Sequence, residues 1–97
     1  MSFSVHNVDE DIRSPYGLTT ADINGDGLTD IVVGSTGEKI VAWYEAPDFR
    51  KHMISSQHPG TICLATQDLN GNGRLDVIAG SGFNRRDRSV IEYVHWF

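Results

Sequence analysis

A second cysteine is missing. Cys63 stands alone, so no disulfide can close within the chain. Flanked by Ile62 and Leu64, its thiol reads as part of a strand, either inert packing or a reactive group. No apolar run approaches the roughly 18 residues of a membrane span. The opening "MSFSVHNVDE" has neither the basic nor the apolar region of a secretory signal. Basic residues are scarce: eight Lys and Arg against thirteen Asp and Glu leave a formal charge of −5. Sequence-independent nucleic-acid binding requires a basic surface that displaces counterions from phosphates, so that class is excluded and the acidic loops point to cations instead. Sustained helical spacing of apolar residues is absent as well. So are a Ser-His-Asp order, a cysteine-histidine pair, a phosphate loop and a paired-glutamate signature, and an independent enzyme is not expected.

What the chain does have is a repeat. Its 97 residues suit one small domain, and the apolar fraction of 39% lies well above disordered composition. "DINGDGLTD" (22–30) is followed 46 positions later by "DLNGNGRLD" (68–76). The same shift lays His6 on His52 and "TDIVVGS" (29–35) on "LDVIAGS" (75–81). "VAWY" (41–44) then matches "VHWF" (94–97) at a shift of 53, so the second unit carries seven extra residues, among them "NRRDR" (84–88). Short Val, Ile and aromatic runs between Gly, Pro, Asn and Asp read as four-stranded β units, which bury their faces only by stacking. Strands are expected near 17–23, 29–34, 39–44 and 49–56 in the first unit and near 61–67, 75–80 and 89–96 in the second.

The class is therefore all-β, with blade one at about 17–57 and blade two at about 61–97 of a single segment, 1–97. A strand-like piece at 3–11 is the repeat equivalent of 49–57 and is spare, available as the outer strand of another blade. Two blades cannot close on themselves, because propellers need about 4–8. Either a longer chain supplies the rest, or three or four copies form a ring of six or eight blades in which each lends its first strand to a neighbour, covering an edge that would invite aggregation.

The pattern Asp-x-Asn/Asp-Gly-Asp/Asn-Gly-x-x-Asp, followed by an apolar run, Gly and a later Trp-Tyr, resembles the FG-GAP or VCBS-type repeats of calcium-binding β-propellers. The resemblance covers nearly the whole chain in two copies. It implies a propeller fold, a cation in the first hairpin loop of each blade and an extracellular setting. It leaves activity open, since such propellers serve as adhesion heads, lectin-like modules and scaffolds of carbohydrate-active lyases.

The residues make their own argument for calcium. In the first loop, Asp22, Asn24, Asp26 and Asp30 stand at positions one, three, five and nine, Gly25 and Gly27 allow sharp turns, and the carbonyl of Leu28 is a further candidate ligand. Hard oxygen donors without local thiolate or imidazole favour calcium over zinc or copper, and a flexible shell favours it over magnesium. An EF-hand would need Glu at position twelve, where the chain has Val33. The alternative is an Asx-rich hairpin with no metal. The second loop offers Asp68, Asn70, Asn72, Asp76 and the Arg74 carbonyl. Asn72 in place of Asp26 lowers the formal ligand charge from −3 to −2, so weaker binding is expected there.

Alternation of strand direction places Arg13, Tyr16, His58, Arg85, Arg86 and Arg88 on the rim opposite the acidic loops. Guanidinium groups beside aromatic rings would suit an acidic saccharide; the alternative is a solvated arginine loop partnered by Asp87. His6 and His52, and likewise Trp43 and Trp96, recur within the repeat and read as packing residues. The function expected is a calcium-binding β-propeller module for ligand binding or assembly. The alternative is a scaffold segment of a carbohydrate-active enzyme, a lyase or dehydratase, with the arginine loop on its ligand face.

Overall fold

The computed structural model describes residues 1–83 and 93–97. Among these residues seven strands run in chain order: β1 (Pro15–Ala21), β2 (Asp30–Ser35), β3 (Val41–Glu45), β4 (Arg50–Ser55), β5 (Cys63–Gln67), β6 (Asp76–Ser81) and β7 (Tyr93–Trp96). They form two antiparallel meanders, a four-stranded sheet ordered β1-β2-β3-β4 and a three-stranded sheet ordered β5-β6-β7. These are propeller blade units, blade one and blade two.

The repeat read from the sequence holds residue by residue in the pairing. Val32 lies opposite Trp43 and Gly34 opposite Val41; the same partners recur as Ile78 with Trp96 and Gly80 with Val94. Each expected strand is present to within a few residues, and the expected positions 89–92 of the last one lie outside the described residues. The piece at 3–11 forms no strand pairing among the described residues. Blade one already holds the four strands of its unit.

Strand composition explains the layering. The central strand of blade one, "DIVVGS", is buried at five of six positions, as a strand covered on both faces must be. One face carries Val32, Val41 and Trp43 and meets Leu64, Val77 and Phe97 of blade two, with Ile23 and Ile54 closing the cluster. The opposite face carries Val33, Ala42 and Tyr44 beneath Ile12, Ile31, Ile40 and Phe49. Fully burying a side chain such as Val32 contributes about 1.5–3 kcal/mol.

Close approach of the blades depends on small residues near their inner ends. A Cβ at Gly34 would lie 2.7 Å from Thr61 Cβ, and one at Gly17 would lie 3.1 Å from the carbonyl carbon of Ile62. Thr61 is itself fully buried, its Oγ1 hydrogen-bonded to Ser81 Oγ at 2.8 Å. Cys63, expected as a strand thiol, sits in β5 but is exposed.

Candidate metal loops

Each acidic loop bridges the first two strands of its blade. The last pair before the loop is Ala21 with Asp30 in blade one and Gln67 with Asp76 in blade two. Asp22 organises the first bend: Oδ1 accepts from the amides of Gly25 (2.9 Å) and Asp26 (3.1 Å), and Oδ2 accepts from Gly27 (2.8 Å). Asn24 Oδ1 accepts from Asp26 N at 3.3 Å, and Asp26 Oδ1 accepts from Leu28 N at 2.9 Å. Gly25 and Gly27 take φ of 74° and 86°, the left-handed region that a Cβ disfavours.

Asp30 closes the loop from inside. It is fully buried, and its two oxygens accept from Ile23 N and Ala46 N, each at 2.9 Å. A buried carboxylate requires this kind of satisfaction.

The second loop repeats the contacts within the bend distance for distance. Asp68 accepts from Gly71, Asn72 and Gly73 at 2.9, 3.1 and 2.8 Å. Asn70 accepts from Asn72 N at 3.3 Å, Asn72 from Arg74 N at 2.9 Å and Asp76 from Leu69 N at 2.9 Å. The exchange of Asp26 for Asn72 leaves the geometry alone because closure uses one side-chain oxygen, which either residue supplies. What changes is the charge.

The donor chemistry fits a hard cation. Every polar side chain pointing into the bends presents oxygen, and a carboxylate oxygen that accepts one amide retains acceptor capacity. Among the described residues no three His, Cys, Asp or Glu side chains gather as a ready metal-holding group. A complete shell would therefore draw on Asn24 or Asn70 and on main-chain oxygens such as those of Leu28 and Arg74. A cavity between the two loops is lined by Asp22, Asn24 and Gly25 on one side and Gly73, Arg74 and Leu75 on the other.

Sequence reasoning missed Glu45. Asn24 Nδ2 donates to Glu45 Oε2 at 2.9 Å, His52 Nε2 meets Glu45 Oε1 at 2.7 Å, and the His52 ring stacks on Trp43 at 4.5 Å. The first loop is thus tied to the outer strand of its blade. The signal was available: Glu45 directly follows the Trp-Tyr pair and lies in a hairpin with His52.

On the opposite rim, the strand ends bring Arg13 beside Ser35, whose hydroxyl donates to the Arg13 carbonyl. Tyr16 is 66% exposed there. His58 is half-buried and turned between the blades, its ring 4.3 Å from His95 and 5.0 Å from Phe97. Arg85, Arg86 and Arg88, with the rest of "NRRDR", lie outside the described residues.

Stacked antiparallel meanders, one of four strands and one of three among the described residues, each with an Asx-rich loop at its first hairpin, define a β-propeller-like repeat module. The family model of the FG-GAP-like repeat matches residues 22–79, more than half of the sequence, and the chain belongs to that family. No curated protein and no solved structure matches the chain.

Proposed function

We propose that the chain is a calcium-stabilised propeller module that acts in binding or assembly and completes its ring by self-association. The observation supporting the metal is the duplicated loop: two bends with equal hydrogen-bond distances, built from oxygen donors, at equivalent places in successive blades. Asp22, Asn24, Asp26 and Asp30 would hold the first ion and Asp68, Asn70, Asn72 and Asp76 the second. Bound calcium would neutralise the clustered carboxylates and fasten each first hairpin. A ligand held only by the folded form stabilises it by about 2.7 kcal/mol at a hundredfold excess over Kd.

The test is thermal unfolding in calcium, in magnesium and in chelator, alongside calorimetric titration with calcium. Calcium should raise the midpoint by roughly 10 °C and chelator should reverse the rise. An unchanged midpoint with no heat of binding would overturn the metal reading. Light scattering with calcium present should give a particle of three or four chains.

A further inference from the structure

One blade covering the next is seen within the chain itself. Blade two lays Leu64, Val77 and Phe97 on the face of blade one that carries Val32, Val41 and Trp43. The shared register assigns the equivalent face of blade two to Ile78, Val94 and Trp96. That face is open: Trp96 is 51% and Val94 79% exposed. Among the described residues β7 pairs only with β6, so its outer edge carries nothing equivalent to β4.

At the other end, residues 3–8 are exposed and form no strand, with Phe3 at 90% and Val5 at 92% accessibility. The arm is nevertheless anchored. Asp9 binds the Tyr44 hydroxyl at 2.6 Å and Lys51 Nζ at 2.8 Å, and Ile12 packs with Tyr44. This repeats the connection after β4, where His58 packs edge-on against Phe97, the counterpart of Tyr44. The Ser14 carbonyl accepts from Thr36 N at 3.0 Å, as the Pro59 and Gly60 carbonyls accept from Gly82 N and Phe83 N. Residues 9–14 are thus already placed as a connection leading out of an outer strand and into β1. Among the described residues the arm pairs with neither sheet.

We propose that a second copy of this chain seats its blade one on the open face of blade two, its residues 4–9 pairing antiparallel along β7 with His6 opposite Trp96. The inference rests on the self-association reading above and names the surfaces and register. Among the described residues both halves of such a contact are present, a strand-length arm that pairs with no sheet and a strand, β7, that pairs on one side with β6. The register follows from β3 and β4, where Trp43 faces His52 and Tyr44 faces Lys51. Shifted by one repeat, Trp96 faces His6 and Phe97 faces Val5. The His6 ring then covers Trp96 as His52 covers Trp43, at 4.5 Å and 19°. The Asp9 anchor holds the arm where it reaches the neighbour.

The experiment uses the full chain with Cys63→Ser. One preparation carries His6→Cys and a second Trp96→Cys; they are mixed under mild oxidation with calcium and followed by light scattering and non-reducing electrophoresis. Directly opposed strand residues lie within disulfide range, so an interchain His6→Cys to Trp96→Cys bond is expected, and Ser2→Cys in place of His6→Cys should give none. Assembly without the cross-link would overturn this register and leave self-association standing. A folded monomer at every concentration would overturn both. Because Trp96→Cys removes packing, Trp43→Phe supplies a second readout with Trp96 as sole tryptophan. Its emission should shift to the blue as concentration rises, and His6→Ala should weaken that transition about tenfold; emission independent of concentration in an assembled sample would also overturn the register.

Discussion

The hydroxyl of Tyr44 on β3 and the carboxylate of Asp9 are joined by a 2.6 Å hydrogen bond across 35 positions of sequence. Lys51, then Tyr44, then the Asp11 amide hold the Asp9 carboxyl down at about 2 from its ordinary 3.8. A carboxylate depressed by folding contributes stability that is present above its unfolded value and lost as the pH falls through its folded one. Between about pH 4 and pH 2 this contribution should disappear. Asp9→Asn is expected to cost about 1.5 kcal/mol near neutrality and to flatten that acid limb, as urea unfolding at several pH values would register.

His95 acts on the same acid side of the pH profile, but nearer neutrality. Both its ring nitrogens are buried without a partner among the described residues, and the ring is packed between His58 and Phe97 beside Tyr93. Burial first, and the neighbouring His58 second, lower its pKa from 6.5. The unfolded chain therefore takes up this proton more readily, and stability should fall as the pH drops below about 6.5. His95→Phe keeps an apolar ring in the stack and should reduce that slope in the same unfolding series.

Gly34 marks the tightest approach of the blades. Gly34→Ala forces a methyl group against the fully buried Thr61 and should destabilise by about 1–3 kcal/mol. Combining it with Thr61→Ser removes the opposing methyl and keeps the hydroxyl bound to Ser81. Recovery of a substantial part of the loss in the double variant is the outcome that denaturant titration should show.

In the first loop, Asp22→Ala removes the acceptor for three amides at once, those of Gly25, Asp26 and Gly27. A stability loss of about 1–3 kcal/mol is expected even without calcium. Asp26→Asn should leave the fold intact, because Asn72 makes the corresponding 2.9 Å contact in the second loop. It should lower calcium affinity towards that of the second loop. Calorimetry on both variants separates the effect on closure from the effect on charge.

The repeat, the all-β class, the strand positions and the two Asx loops were legible because they depend on local chemistry. Alternating apolar residues set the strands, Gly at a left-handed φ sets the bend, and Asp22 or Asp68 finds its amide partners within five residues. The shifts of 46 and 53 further implied that β2 with β3 and β6 with β7 share one register, and the structure supplied which residues pair. Glu45 was legible only in part: its contact with His52 lies within one hairpin, but its bond to Asn24 joins that hairpin to another, and local pattern does not carry it.

The amino-acid order by itself determined that the chain is a duplicated β unit with oxygen-lined hairpin bends, through period, turn residues and side-chain donors acting over a few positions. Tertiary structure alone decided which faces are covered. Trp43 and Trp96 occupy the same place in the repeat, yet one is packed between blades beneath His52 and the other is half exposed on β7, which among the described residues pairs only with β6. Equivalent residues part company because burial depends on what the neighbouring sheet brings to a face, and a local pattern carries no information about a neighbour that lies across the stack.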